Sequence, residues 1–235
     1  MVLVCRPRKF VYLKTHRTGS TTTESYFERE CVPPAMRGSG LFDTPDYPRI
    51  PETVTEFGII GFRGNFSALP KKPRYRNHMP AKQLKRRLEP EFWANALKFC
   101  NIRNPFDKAV SAYWGRMSDE DAADWARKPF QEIRTGFREW LSSGVVVRRD
   151  ANKYMIDGEV CIDDFIRYES LAADVKRIGE RLGIPFEPER LPRWGSHKRG
   201  PVAHAYAEYF TPDLIAQIKQ EFAFELEYFG YRFGD

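Results

Sequence analysis

The residues with chemistry to offer cluster first between Phe10 and Thr23, which reads FVYLKTHRTGSTTT. Lys14, His16 and Arg17 stand ahead of a single glycine, Gly19, and four hydroxyl residues, Ser20 to Thr23, stand behind it. Cationic donors, one glycine and the start of a helix together suit a bound anion. N–H groups of a first helical turn point outward, the helix dipole adds partial positive charge, and a glycine lets backbone approach the ligand. The plainer reading is a basic strand-to-helix turn with a Ser or Thr cap. A second set is Arg103 and Ser111, on either side of Asn104-Pro105. Arg103 falls at the carboxyl edge of an apolar run and Ser111 two turns into the helix that Pro105 opens. In open α/β sheets the carboxyl ends of strands are where ligands bind. His78, one of four histidines, precedes a helix that Pro80 begins.

The glycine stretch is not the nucleotide-triphosphatase loop, which needs G-x-x-x-x-G-K-[ST]; no such string occurs. LKTHRTGSTT instead resembles the 5'-phosphosulfate loop of sulfotransferases that use 3'-phosphoadenosine 5'-phosphosulfate (PAPS), closest to their carbohydrate-directed branch. One departure stands out: the family usually carries Lys two places before the glycine, and here it is Arg17. The resemblance runs from Phe10 to Phe233 and is best matched over residues 14–22, 103–114, 167–171 and 209–233. It implies that Arg17, Thr18, Gly19, Ser20, Thr21 and Thr22 hold the 5'-phosphosulfate. It implies that Arg103 and Ser111 take the 3'-phosphate, that Tyr168 of Arg167-Tyr168-Glu169-Ser170-Leu171 approaches the adenine, and that Lys198, Arg199 and Gly200 close over the cofactor. Arg17, with Lys14, would neutralise the leaving oxygens; a guanidinium stays protonated, so Lys14 or His16 is the better proton donor. His78 would take the acceptor proton, as a group titrating near ~6.5 can do at neutral pH, with Glu56 in reserve. The family pattern requires no metal. The product would be adenosine 3',5'-bisphosphate.

These groups need strands that end, and helices that begin, at the right places. Phe10–Leu13, Phe57–Phe62, residues 96–103 and Val160–Tyr168 read as strands. Helices are expected from Glu24 to Glu30, from Lys82 to Leu88, from Pro105, over 129–142, from Ser170 to Leu182, and after Thr211-Pro212-Asp213. Residues 1–9 read as a lead into the first strand, 31–55 as a Pro/Gly-rich loop, and Asp119–Asp124 as a solvated turn. The loops at 31–55 and 70–77 would line an acceptor cleft or simply vary at the surface. The pattern predicts an α/β fold in one domain over residues 1–235, and the resemblance implies its form: three layers, a central mainly parallel sheet flanked by helices, like the P-loop NTPases.

Composition narrows the partners. The chain of 235 residues is 42% hydrophobic and 14% aromatic, which is globular rather than disordered. A net charge of +6 favours anionic partners without choosing among nucleotide, acidic glycan and nucleic acid. Cys5, Cys31, Cys100 and Cys161 are scattered with no CxxC pair, which argues against zinc; Cys100 and Cys161 read as core thiols. No 18-residue apolar run and no signal-peptide core is visible, so the expectation is a cytoplasmic protein without a membrane span, acting on a carbohydrate or small molecule and not on nucleic acid. Two other readings stand beside it. A P-loop small-molecule kinase would want the Lys-Ser/Thr pair after the glycine. A non-enzymatic module binding anionic glycan or nucleic acid would group its basic residues on one face with exposed aromatics. A sulfotransferase that binds nucleotide without turnover is a third.

Overall fold

The computed structural model describes residues 1–37, 51–65, 69–145, 147–191 and 204–235. They fall into two compact units: Met1–Ile102 with Asp150–Pro192, and Arg103–Arg149 with Arg193–Asp235.

The first unit holds a six-stranded sheet in the order β3-β4-β1-β2-β5-β8. Its strands are β1 (Val2–Cys5), β2 (Phe10–Leu13), β3 (Thr53–Thr55), β4 (Gly58–Ile60), β5 (Leu97–Ile102) and β8 (Asp164–Arg167). β2, β5 and β8 run parallel, Tyr12 opposite Phe99 and Asn101 opposite Ile166; β1, β3 and β4 add antiparallel pairs, so the sheet is mixed. The α/β class with a central sheet flanked by helices therefore stands. β1 corrects the reading of residues 1–9 as a lead. Every residue of VLVC is buried, as in a central strand covered on both faces, so the run carries no alternation to read. β3 likewise sits inside what reads as one long loop. Gly58 makes the β1–β4 pairing possible: its φ is 154°, and a Cβ there would fall 1.9 Å from the Val4 carbonyl oxygen.

Helix α1 (Ser20–Phe27) follows β2, starts four residues earlier than expected and ends in a 3-10 turn, Glu28–Cys31. Helices α2 (Ala81–Lys85) and α3 (Pro90–Asn95) precede β5; α3 is not visible in the periodicity. The short helix α7 (Ala151–Tyr154) leads into the hairpin β6 (Met155–Ile156) and β7 (Glu159–Val160), and α8 (Leu171–Arg181) follows β8. The single strand expected over Val160–Tyr168 is thus two pieces: Asp163 breaks it by turning its carboxylate back to the Lys98 amide, 2.7 Å away. Phe10, Tyr12, Phe99 and Ile166 from the sheet pack with Tyr26 and Phe27 of α1 and Val175 and Ile178 of α8. Cys100 is buried as expected, whereas Cys161 is only partly buried; none of the four cysteines is in a disulfide.

The second unit is helical: α4 (Pro105–Gly115), α5 (Asp119–Trp125), α6 (Phe130–Ser142), α9 (Pro212–Glu221) and α10 (Ala223–Phe229). Its core gathers Phe106, Tyr113, Trp114, Phe137, Phe210 and Phe222. α5 corrects the solvated turn at 119–124. Ser118 caps the Asp121 amide at 3.0 Å, and Asp119, Glu120 and Asp121 fill the first turn, where negative charge complements the dipole. Among the described residues no helix is long and apolar enough to cross a membrane.

Candidate active site

The glycine loop joins β2 to α1, and its backbone is held from inside by its own hydroxyls. Ser20 donates to the Thr15 carbonyl at 2.7 Å. Thr15 donates to the Asn101 carbonyl on β5 at 2.8 Å, so the 2.7 Å contact between the Thr15 and Thr18 hydroxyls has Thr18 as donor. Tyr12 bridges the Ser20 carbonyl and the Asn101 side chain, and Asn101 reaches on to Thr23. The loop is therefore tied to two parallel strands at their carboxyl ends, where an α/β sheet binds ligands.

Two loop residues have left-handed backbone: Arg17 at φ 59° and Gly19 at φ 71°. Gly19 is the N-cap of α1, and Thr23 is the first amide to close on it, at 3.3 Å. Helix geometry gives the Ser20 and Thr21 amides no intrahelical acceptor. Arg17 is exposed, whereas Thr18, Ser20 and Thr22 are buried. Tyr168, at the end of β8, lies beside Gly19: a Cβ there would meet its ring at 3.0 Å. Gly19→Ala is accordingly expected to cost about 1–3 kcal/mol of stability, from a left-handed alanine and a displaced Tyr168 ring. Urea unfolding measures it, and a loss below about 0.5 kcal/mol would show that the loop adapts.

His78 approaches this loop from far along the chain. Its ring stacks on His16, centroids 3.6 Å apart and planes 13° from parallel. Its Nδ1 lies 3.2 Å from the Lys14 carbonyl oxygen. A carbonyl only accepts, so Nδ1 carries the proton and Nε2 the lone pair. Burial, followed by the charges of His16, the Met1 amino group and Lys14, pushes its pKa down to about 2, and the ring is neutral at physiological pH. His78, too, is left-handed, at φ 52°.

Lys14 faces inward. Its Nζ is 2.9 Å from both Thr21 Oγ1 and Glu24 Oε2, and burial, partly offset by Glu24, lowers its pKa. Arg63 pairs with Glu24, and with Glu28 at 2.9 Å; the Met1 amino group meets Glu24 at 2.6 Å. Burial alone would raise the Glu24 carboxyl; Lys14, the Met1 amino group and Arg63 outweigh it and hold it well below the usual range.

In the second unit Arg103 is buried and clasped by Asp107, Nε to Oδ2 at 2.7 Å and a terminal nitrogen at 2.6 Å. Asn104 caps α4 by accepting from the Phe106 amide, and Ser111 lies half-buried farther along the helix. Lys198, Arg199 and Gly200 lie outside the described residues. Glu56 sits exposed in the tight turn between β3 and β4.

The first unit thus brings Lys14 to Thr22, His78 and Tyr168 together. Sequence reasoning missed Glu24, Arg63 and Asp150. Glu24 left one faint signal, a carboxylate one turn into a helix that follows a lysine at the end of a buried strand. Arg63 and Asp150 left none, because their partners are distant in sequence. Among the described residues, no three His, Cys, Asp or Glu side chains gather as metal ligands.

A family model described as the sulfotransferase family matches residues 1–232 of this chain. No curated protein gives a significant match, and no solved structure does.

Proposed function

The chain belongs to the sulfotransferase family, in its carbohydrate-directed branch, and from that premise we propose that it sulfates a carbohydrate hydroxyl with His78 as proton acceptor. The family implies PAPS as donor. The observation that carries the finer reading is the seating of His78 on the glycine loop, stacked on His16 and bonded to the Lys14 carbonyl.

The loop suits a phosphosulfate by its donor set: first-turn amides of α1, a bare glycine under Tyr168 and an exposed guanidinium at Arg17. When bound, the donor supplies an activated sulfuryl group and a phosphate leaving group. The protein orients the reactants and offsets charge on the leaving oxygens. Arg17 does this as a fixed cation, since a guanidinium keeps its proton. Lys14, paired with Glu24, supports the first turn of α1 through Thr21. The acceptor O–H bond breaks and its proton passes to His78 Nε2, while its oxygen forms the new bond to sulfur as the bond from sulfur to the leaving phosphate oxygen breaks. By the family pattern Arg103 and Ser111 take the 3'-phosphate; Asp107 keeps the Arg103 fork in one orientation beforehand.

Thermal unfolding with adenosine 3',5'-bisphosphate, AMP and ATP, each with and without magnesium, tests the donor site. Bisphosphate at about a hundred times its dissociation constant is expected to stabilise the fold by about 2.7 kcal/mol without magnesium, and AMP far less. Arg103→Ala is expected to erase the difference between the two. Stabilisation by ATP with magnesium alone would overturn this reading in favour of a kinase.

A further inference from the structure

Asp150 stands at the N-cap of α7, where a carboxylate ordinarily accepts from the amides of its own helix. Its side chain makes no such cap. Each oxygen reaches a residue 134 positions away: Oδ2 accepts from the His16 backbone amide at 2.9 Å, and Oδ1 meets His16 Nδ1 at 2.7 Å. Asp150 is 2% exposed. A carboxylate is costly to bury unless its oxygens are bonded, and two of the contacts that offset that cost run to His16.

Two contacts from one carboxylate, one to the backbone and one to the ring, leave His16 no freedom to rotate or to change tautomer. A carboxylate accepts, so Nδ1 must carry the proton. The opposite face of the arrangement is the stack: His78 lies parallel on the His16 ring, and its own Nδ1 is held by the carbonyl of Lys14, two residues earlier. His78 is held by these two contacts in a left-handed conformation at φ 52°.

We propose that Asp150 is a positioning residue for sulfuryl transfer: it locks His16 as the Nδ1–H tautomer, and so provides the platform that holds His78 with Nε2 directed away from the loop carbonyl. This rests on His78 being the proton acceptor. It adds a residue that lies 134 positions from the glycine motif in sequence and belongs to neither that motif nor the 3'-phosphate motif. Lys14, the Met1 amino group and, when protonated, His16 disfavour a proton on His78, whereas the Asp150 carboxylate favours it. Asp150 therefore also eases the moment at which His78 accepts a proton.

The test is NMR of the full chain with isotope-labelled histidine, in the wild type, Asp150→Asn and His78→Asn, the last assigning the His78 signals. In the wild type, His16 is expected as a single Nδ1–H tautomer with a strongly downfield Nδ1 proton. Asp150→Asn is expected to lose that proton and that single tautomer and to move the His78 ring signals, with the bisphosphate thermal shift retained. A wild-type His16 without the downfield Nδ1 proton overturns the proposal, and this holds even if Asp150→Asn fails to fold. Unchanged His16 and His78 signals in a folded Asp150→Asn overturn it too. His78 found as the Nε2–H tautomer would instead sink its role as proton acceptor, since its lone pair would face the loop; the signals of His16 would still decide the case of Asp150.

Discussion

His78→Asn is expected to lower kcat by about 10²–10⁴-fold, the usual worth of a positioned general base, while leaving the thermal shift with adenosine 3',5'-bisphosphate unchanged. Asparagine is the substitution of choice because it tolerates the left-handed backbone that position 78 requires. It fills part of the imidazole's space and can bond the Lys14 carbonyl, but it cannot take a proton. Burial and the cations around it keep His78 neutral, with its pKa at about 2, so the lone pair on Nε2 is available at every physiological pH. The cost of so low a pKa is a weak base in the resting protein. Proton transfer must therefore be driven by charge that develops on the acceptor oxygen as sulfur is attacked, and by the nearby Asp150 carboxylate. Transfer is followed as release of the bisphosphate across a panel of galactosides and other sugars. A variant that keeps the wild-type rate would remove His78 from the chemistry.

Glu24→Gln is expected to destabilise the first unit by about 3–5 kcal/mol at neutral pH, the range found when one member of a buried ion pair is removed. Glu24 is fully buried and faces two cationic side chains, Lys14 and Arg63. Its neighbour Glu28 does not replace it. Burial pushes the Glu28 carboxyl up to about 8 despite Arg63, so at pH 7 it is mostly protonated. The two acids also differ in sign. Glu24 is depressed below its ordinary 4.5, so its stabilisation is fully present above that value and declines as pH falls further. Glu28 is raised, so the folded state binds more protons than the unfolded one between 4.5 and about 8, and stability falls as pH rises through that window. Urea unfolding from about pH 4 to about pH 9 separates them: Glu24→Gln loses most of its stability at neutral pH, and Glu28→Gln flattens the decline toward pH 8. If Glu24→Gln unfolds within about 1 kcal/mol of the wild type, the cluster is not what holds Lys14 and α1 together. Because Lys14 bonds Thr21 in the first turn of α1, the same variant is expected to weaken bisphosphate binding as well.

Features that depend on a few adjacent residues were legible before any fold was known. Phe10–Leu13 as a strand, Gly19 as the turn, Pro105 and Pro212 as helix starts, and the stripe Ile133, Phe137, Leu141 on α6 each express a local steric or periodic rule. So do the donors of the glycine loop, because a helix N-terminus offers its amides whatever surrounds it. Readings failed where a local pattern was absent or was overridden. VLVC is too short and too uniformly apolar to declare a strand, and only its pairing with β2 and β4 makes it one. The acids at 119–121 read as solvated until Ser118 is seen to cap them.

The chain by itself thus determined the class of fold, the glycine turn and the identity of the groups available for an anion and a proton. Tertiary structure alone decided which of those groups face one another. Lys14 turns inward because Glu24 and Arg63 are buried with it, His78 reaches the loop across 62 residues to stack on His16, and Asp150 comes from 134 residues away to hold it. The physical reason is the same in each case. Burial makes a charge or a lone polar atom expensive, and the partner that relieves the expense is chosen by proximity in space, which sequence separation does not encode.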